Sequence, residues 1–186
     1  ARFPRAKVTG IGDGAGGSLT LADTTDFNGD LSFGAVGTKT FNLNGKTLTF
    51  TGSSFDLTNI TTLTSTGSTV IFDGADTQNV TSKSKIYNNI EVTNDSAGGV
   101  IFDDAFTAAN FTDETADSLL TFAANTTYNI TNTLTLTGAG AGDEIVLVSS
   151  DPLGDRFTLN FTTKQQTVDY VDVQDSNASG KDIIAT

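Results

Sequence analysis

The chain has 186 residues, with 10 basic against 22 acidic side chains and a formal charge of -12. It holds no Cys, His, Met or Trp. That excludes thiol nucleophiles, Ser-His-Asp and Cys-His arrangements, structural zinc clusters and haem held by His, Cys or Met. The acidic balance argues against nucleic acid and anionic membrane surfaces, and no apolar run reaches the ~18 residues of a membrane-spanning helix.

Thr is the most frequent residue, with 33 copies. It is β-branched and suits a pleated strand. Asn, Asp and Gly are also abundant and accept the left-handed backbone of tight turns, while good exposed-helix formers are scarce. An all-β chain of many short strands follows, and 37% apolar residues suffice for a core.

In chain order, residues 1–17 are predicted as a basic, Gly-rich arm, with Arg2, Arg5 and Lys7 in its first seven positions. Residues 18–186 form an acidic body. From Leu19 onward short bursts alternate apolar and polar residues, the two-residue period of a strand with one buried side. Thr47-Leu48-Thr49-Phe50-Thr51-Gly52 is echoed by Thr133-Leu134-Thr135-Leu136-Thr137-Gly138, and Val70-Ile71-Phe72-Asp73 returns thirty residues on as Val100-Ile101-Phe102-Asp103. Phe157, Leu159 and Phe161 alternate with polar partners. Such self-similarity predicts stacked coils, since a single coil of strands cannot bury its own inner face. The predicted fold is a single-domain β-solenoid (parallel β-helix). A β-sandwich or jelly roll with a donor-strand arm fits the same strand count.

Residues 67–180 resemble β-helical repeat segments of large bacterial cell-surface, autotransporter-like proteins. The resemblance is carried by Gly67-Ser68-Thr69-Val70-Ile71-Phe72-Asp73, Ile86-Tyr87-Asn88-Asn89-Ile90-Glu91-Val92, Tyr128 to Gly138 and Val168 to Ser179. It implies right-handed parallel β-helices used in adhesion, surface coats and filaments, with no shared catalytic motif to transfer.

Asp26, Asn28 and Asp30 have the D-x-N-x-D spacing of a calcium loop, but Leu31 and Gly37 stand where an EF-hand needs Gly and Glu. A plain Asn-Gly turn accounts for the same residues. Asp103, Asp104, Asp113, Glu114 and Asp117 read as a solvated acidic surface cluster, with calcium as the alternative; Asp169, Asp172 and Asp175 read as exposed strand and turn positions. Glycoside hydrolysis needs a carboxylate pair, but 22 acids give pairing no discriminating power. Sugar clefts favour aromatic platforms, and the tyrosines are only Tyr87, Tyr128 and Tyr170; the phenylalanines read as core. Asn59, Asn79, Asn94, Asn110, Asn125, Asn129, Asn160 and Asn177 stand in N-x-[ST] sequons open to glycosylation in a secreted protein. The ladder Thr131, Thr133, Thr135 and Thr137 is similar to the arrays of ice-binding solenoids, which need the array in register on several coils; ordinary exposed strand threonine is the simpler reading.

Ala1 in place of Met reads as a processed product or an excised fragment. The functional expectation is a secreted or cell-surface structural subunit, not an enzyme and without a cofactor. It would join head to tail through Arg2, Phe3, Arg5, Lys7 and Val8 at one end and Ile183 and Ile184 at the other. Its partner is another copy of itself, with no nucleic acid and no membrane insertion. An adhesin or glycan-binding module is the second expectation, and a polysaccharide-active β-helix the third.

Overall fold

The computed structural model describes residues 16–163, 166–181 and 183–185. All secondary structure among them is β, and no helix is present that is long and apolar enough to cross a membrane. The chain winds as a β-solenoid of about seven turns. The first coil carries β1 (Gly17–Thr20) and β2 (Thr25–Phe27), the second β3 (Lys39–Asn42), β4 (Thr47–Phe50) and β5 (Ser54–Asp56), the third β6 (Thr62–Thr64), β7 (Thr69–Phe72) and β8 (Gln78–Thr81). Next come β9 (Ile86–Val92) with β10 (Val100–Phe102), then β11 (Thr107–Asp113) with β12 (Leu119–Phe122), then β13 (Thr127–Leu136) with β14 (Ile145–Ser149). The last strands are β15 (Phe157–Phe161), β16 (Gln166–Val168), β17 (Val171–Val173), β18 (Ser176–Ser179) and β19 (Ile183–Ala185).

Every pairing is parallel and joins one coil to the next. Three faces result, which we call A, B and C. Face A holds β1, β3 and β6, then the leading halves of β9, β11 and β13, then β15 and β18. Face B holds β2, β4 and β7, the trailing halves of the same three long strands, then β16 and β19. Face C holds β5, β8, β10, β12, β14 and β17. The long strands arise where the A-to-B corner shrinks to a bulge, as between Ala108 and Asn110.

Strand alternation turns one residue in two inward, and the parallel register stacks those residues into files. Leu48, Val70, Ile90, Phe111 and Leu134 form one file of face B. Phe55, Val80, Phe102 and Phe122 form one of face C. The Leu48–Leu134 file bears out the Thr-Leu-Thr echo as a true repeat. The thirty-residue echo is corrected: Val70 lies on face B and Val100 on face C, so the two are not equivalent positions of successive coils. Their motifs meet across the core instead, with Phe72 and Phe102 edge to face at 6.0 Å. True coil steps are shorter, from Val70 to Ile90 and from Ile90 to Phe111.

Phe102 also touches Phe106, Phe111 and Phe122, and Phe122 stacks on Phe157 at 4.7 Å. This aromatic spine fills the middle of the solenoid. Corners use left-handed residues such as Asn44, Lys83 and Ser84. At Gly99 the requirement is absolute: its φ is +54°, and a Cβ there would stand 1.9 Å from the Leu119 carbonyl oxygen.

Candidate functional site

Four features stand out. The first is the N-terminal end. β1 and β2 are edge strands among the described residues, and beside them lies an apolar depression of about 200 Å³ lined chiefly by Leu19, Leu21, Phe27, Leu31, Phe41 and Leu48. Leu19 and Phe27 continue the inward files of Phe41 and Phe50 but stay only partly buried, because no further described coil covers them.

The second is the opposite end. β17 and β18 are the outermost strands of faces C and A. Val173 extends the Leu147 file yet is 45% exposed, and Tyr170 is 47% exposed. The inward position of β18 shrinks to Ala178, next to Leu159.

The third is face A. Its outward strand positions are Ser18, Thr20, Thr40, Asn42, Thr62, Thr64, Ile86, Thr107, Thr127, Asn129, Thr158, Asn160, Asn177 and Ser179. None is ionisable, in a chain of charge -12. In-register pairs run Ser18 to Thr40 to Thr62 and Thr20 to Asn42 to Thr64. Amides tie later coils together: Asn160 Nδ2 donates to Asn129 Oδ1 at 2.7 Å, and the Ser179 hydroxyl donates to Asn160 Oδ1 at 3.2 Å. Arg156, at the margin, reaches to Asn177 Oδ1 on this face.

The fourth is a set of polar groups inside the core. Asp113 occupies the inward file Phe50, Phe72, Val92, Asp113, Leu136 and is fully buried. Its carboxylate accepts from Ser118 Oγ at 2.6 Å and from the Thr115 N–H at 2.9 Å. Burial raises its pKa to about 6, and these two donors offset only part of the shift. Gln78, also buried, donates to the Phe50 and Gly52 carbonyls and accepts from the Gly74 N–H and Asn94 Nδ2, so one amide ties three coils together. The Tyr87 hydroxyl pairs with Ser82, and the Tyr128 hydroxyl donates to the Phe102 carbonyl; burial pushes both phenols above their usual range.

The sequence candidates fall as follows. Asp26, Asn28 and Asp30 are all exposed, and Asp30 accepts from the Ser54 N–H on the next coil instead of facing the other two as a ligand set. Among the described residues no three His, Cys, Asp or Glu side chains are grouped to hold a metal. The acidic surface cluster is corrected at Asp113, which alternation with Phe111 turns into the core. Asp104 caps a corner by accepting from the Ser82 and Lys83 N–H groups. Burial and the neighbouring Asp104 and Asp56 raise the pKa of Asp103 against a lowering by Thr81. Asp175 sits at a left-handed corner, and Ser176 already belongs to β18, so the predicted turn there is corrected to a corner followed by strand.

Sequons Asn79, Asn125 and Asn177 are exposed, and Asn59, Asn110, Asn129 and Asn160 are half-buried. Asn94 is corrected: it is buried, donates to the Asp76 carbonyl and to Gln78, and is not presented for glycosylation by the folded chain. The Thr131–Thr137 ladder lies along one strand instead of across coils, and the file of Thr135 is broken by Glu91 and Ile71. Tyr87 and Tyr128 are core, which leaves Tyr170 as the exposed tyrosine. Arg2, Phe3, Arg5, Lys7 and Val8 lie outside the described residues. Ile183 and Ile184 lie in β19, whose backbone pairs with β16, and their side chains are likewise outside the description.

Sequence reasoning missed Gln78, Lys39 and Asp113 as buried polar groups. Strict alternation with Val80, Phe41 and Phe111 was the signal that could have found them. No family model, curated protein or solved structure matches the chain.

Proposed function

We propose that this protein is a surface-exposed structural subunit that assembles end to end, as expected of an autotransporter-like β-helical module. The carrying observation is that both ends continue the core files into partly exposed apolar residues: Leu19 and Phe27 around the N-terminal depression, Val173 beside Tyr170 at the other end. A second copy stacked head to tail would extend three parallel sheets and cover both ends. That contact is heterologous and propagates as an open fibre. Main-chain pairing supplies the affinity; charge pairs between a basic arm and the acidic body add little, ~0–1 kcal/mol each.

The chain lacks Cys, so a pair of introduced thiols reports the contact cleanly. Thr20→Cys with Ser179→Cys places one thiol on each terminal strand of face A. A ladder of disulfide-linked multimers is expected under oxidation, dependent on both substitutions. A chain that sediments as a monomer at every concentration and yields no ladder rejects the reading.

A second reading, a glycan-binding surface module, is favoured by face A, whose outward strand positions are hydroxyls and amides with no ionisable group among them. Thr62→Glu with Thr64→Glu is expected to abolish binding to neutral glycans while leaving the fold intact. Equal glycan retention by parent and variant counts against it.

A further inference from the structure

The sequence contains two Asn-Gly pairs, Asn28-Gly29 and Asn44-Gly45, and the fold treats them oppositely. Asn44 heads a closed corner. Its φ is +54° and that of Gly45 is +68°, the Lys46 N–H donates to the Leu43 carbonyl at 2.9 Å, and Asn44 Nδ2 donates to the Leu21 carbonyl of the preceding coil at 3.0 Å. The next corner stacks directly on it, with Gly67 over the Gly45 Cα. The Asn44 amide is therefore held toward the preceding coil by its bond to Leu21, within a corner closed by the Lys46 N–H and packed under the next. Asn28 is different. It is exposed, its side chain makes no hydrogen bond, and the following Gly29 N–H donates to no group among the described residues. Nothing lies within 4 Å of where a Gly29 Cβ would stand, so that side of Gly29 is open, while its carbonyl group packs against Gly52.

The geometry points to Asn28 as a self-modification site, a deamidation centre that converts to aspartate and isoaspartate in the folded protein. The deprotonated Gly29 nitrogen attacks the Asn28 Cγ, the amide nitrogen leaves as ammonia, and a succinimide closes. Water then opens the ring at either carbonyl. Attack at the side-chain carbonyl gives Asp, and attack at the main-chain carbonyl gives isoaspartate, with one methylene added to the backbone. No oxidant, reductant or metal is consumed. The product places a third carboxylate between Asp26 and Asp30, just past the end of β2, the outermost described strand of face B. It does so between two anchors to the second coil, the Phe27 carbonyl accepting from the Thr51 N–H and the Leu31 N–H donating to the Ser54 carbonyl. The first coil thereby gains negative charge, and in the isoaspartate form its backbone is lengthened between fixed points.

The test is a timed incubation of the full chain at mildly alkaline pH, followed by peptide mass mapping and enzymatic isoaspartate detection. Conversion at residue 28 is expected to run roughly tenfold or more faster than at residue 44, because the Asn44 corner must first open. It should accelerate with pH and release one ammonia per event. Gly29→Ala, which the open space around Gly29 accommodates, should slow residue 28 severalfold or more without shifting the melting temperature. In urea the two sites should converge. Conversion at Asn44 as fast as at Asn28 in the folded chain would overturn the assignment. So would an intact Asn28 over the time in which the unfolded chain converts, or an unchanged rate in Gly29→Ala.

Discussion

The middle of the solenoid and its ends are built from the same alternating strands, yet they are held differently. From β7 to β15 the inward rings link coil to coil: Phe72, Phe102, Phe122 and Phe157 connect in one chain of contacts. At the ends this support runs out. Among the described residues Phe27 has one ring neighbour, Phe50, and faces C and A end at the far side in Val173 and Ala178. A solenoid buries a coil only by stacking another upon it, so its two outermost coils are its weakest. Those are also the coils at which the proposed assembly acts.

The most severe way to break that contrast is to remove a ring at the centre. Phe102→Ala is expected to cost about 3–5 kcal/mol by deleting a fully buried ring with partners on four sides. Val173→Ala, at the half-open end, should stay within about 0.5 kcal/mol. Urea denaturation of both variants checks the pair, and equal losses would mean that the ends are as tightly packed as the middle.

The next effect tests polar support in the same mid-region. Gln78→Leu strands the Gly52 carbonyl and the Gly74 N–H and takes one of two bonds from the Phe50 carbonyl and the Asn94 amide. A loss of roughly 2–4 kcal/mol is expected. Asn79→Ala, its exposed neighbour on β8, should be near neutral in the same thermal melts.

Asp113 sharpens the comparison through pH. Its pKa is raised by burial to about 6, above the ordinary carboxylate value of 3.8, so the fold favours the protonated form. Its contribution to stability is therefore complete below pH ~4 and is lost as pH rises through about 6. Asp113→Asn keeps the shape without the charge and should stabilise the chain at pH 7 by roughly 1–3 kcal/mol. Near pH 4 it should be neutral or worse. Other carboxylates titrate in both proteins, so the difference between their melting curves isolates this group. A pH-independent difference would refute the assignment.

Much of this was legible in the residues, because alternation and Thr-rich bursts report strands directly. What composition concealed was phase. Asp113 two after Phe111 and Gln78 two before Val80 occupy inward positions by spacing, but their polarity argued for the surface. The fold accepts them because Ser118, Thr115, Asn94 and three backbone groups satisfy them. The long strands hid a second irregularity. Tyr87 and Ile90 both point inward although they are three residues apart, since the bulge inserts one residue where a corner stood. Coil length was obscured as well. A gap of 31 residues separates Ile130 from its partner Phe161, whereas 22 separate Leu48 from Val70. Extra residues at 139–144 and 151–155 leave the stack and put Leu153 94% in solvent. The ends carry no such signature, because an uncovered coil and a covered one have the same sequence pattern.

Amide hydrogen exchange reads the smallest difference, coil by coil. Interior strands such as β9, β11 and β13 have hydrogen-bonded neighbours on both sides, while β2 and β18 have one each among the described residues. Opening an interior strand requires breaking two ladders and exposing the aromatic spine, so its amides should exchange only near global unfolding. Opening β2 breaks one ladder and uncovers Phe27, which is only partly buried to begin with. Its amides should exchange faster by a factor that falls when copies associate, because stacking would convert an edge into an interior strand. Protection of β2 and β18 that rises with protein concentration, while that of β11 stays constant, would tie the weakness of the ends to their use. Protection that is uniform along the axis and insensitive to concentration would separate the two.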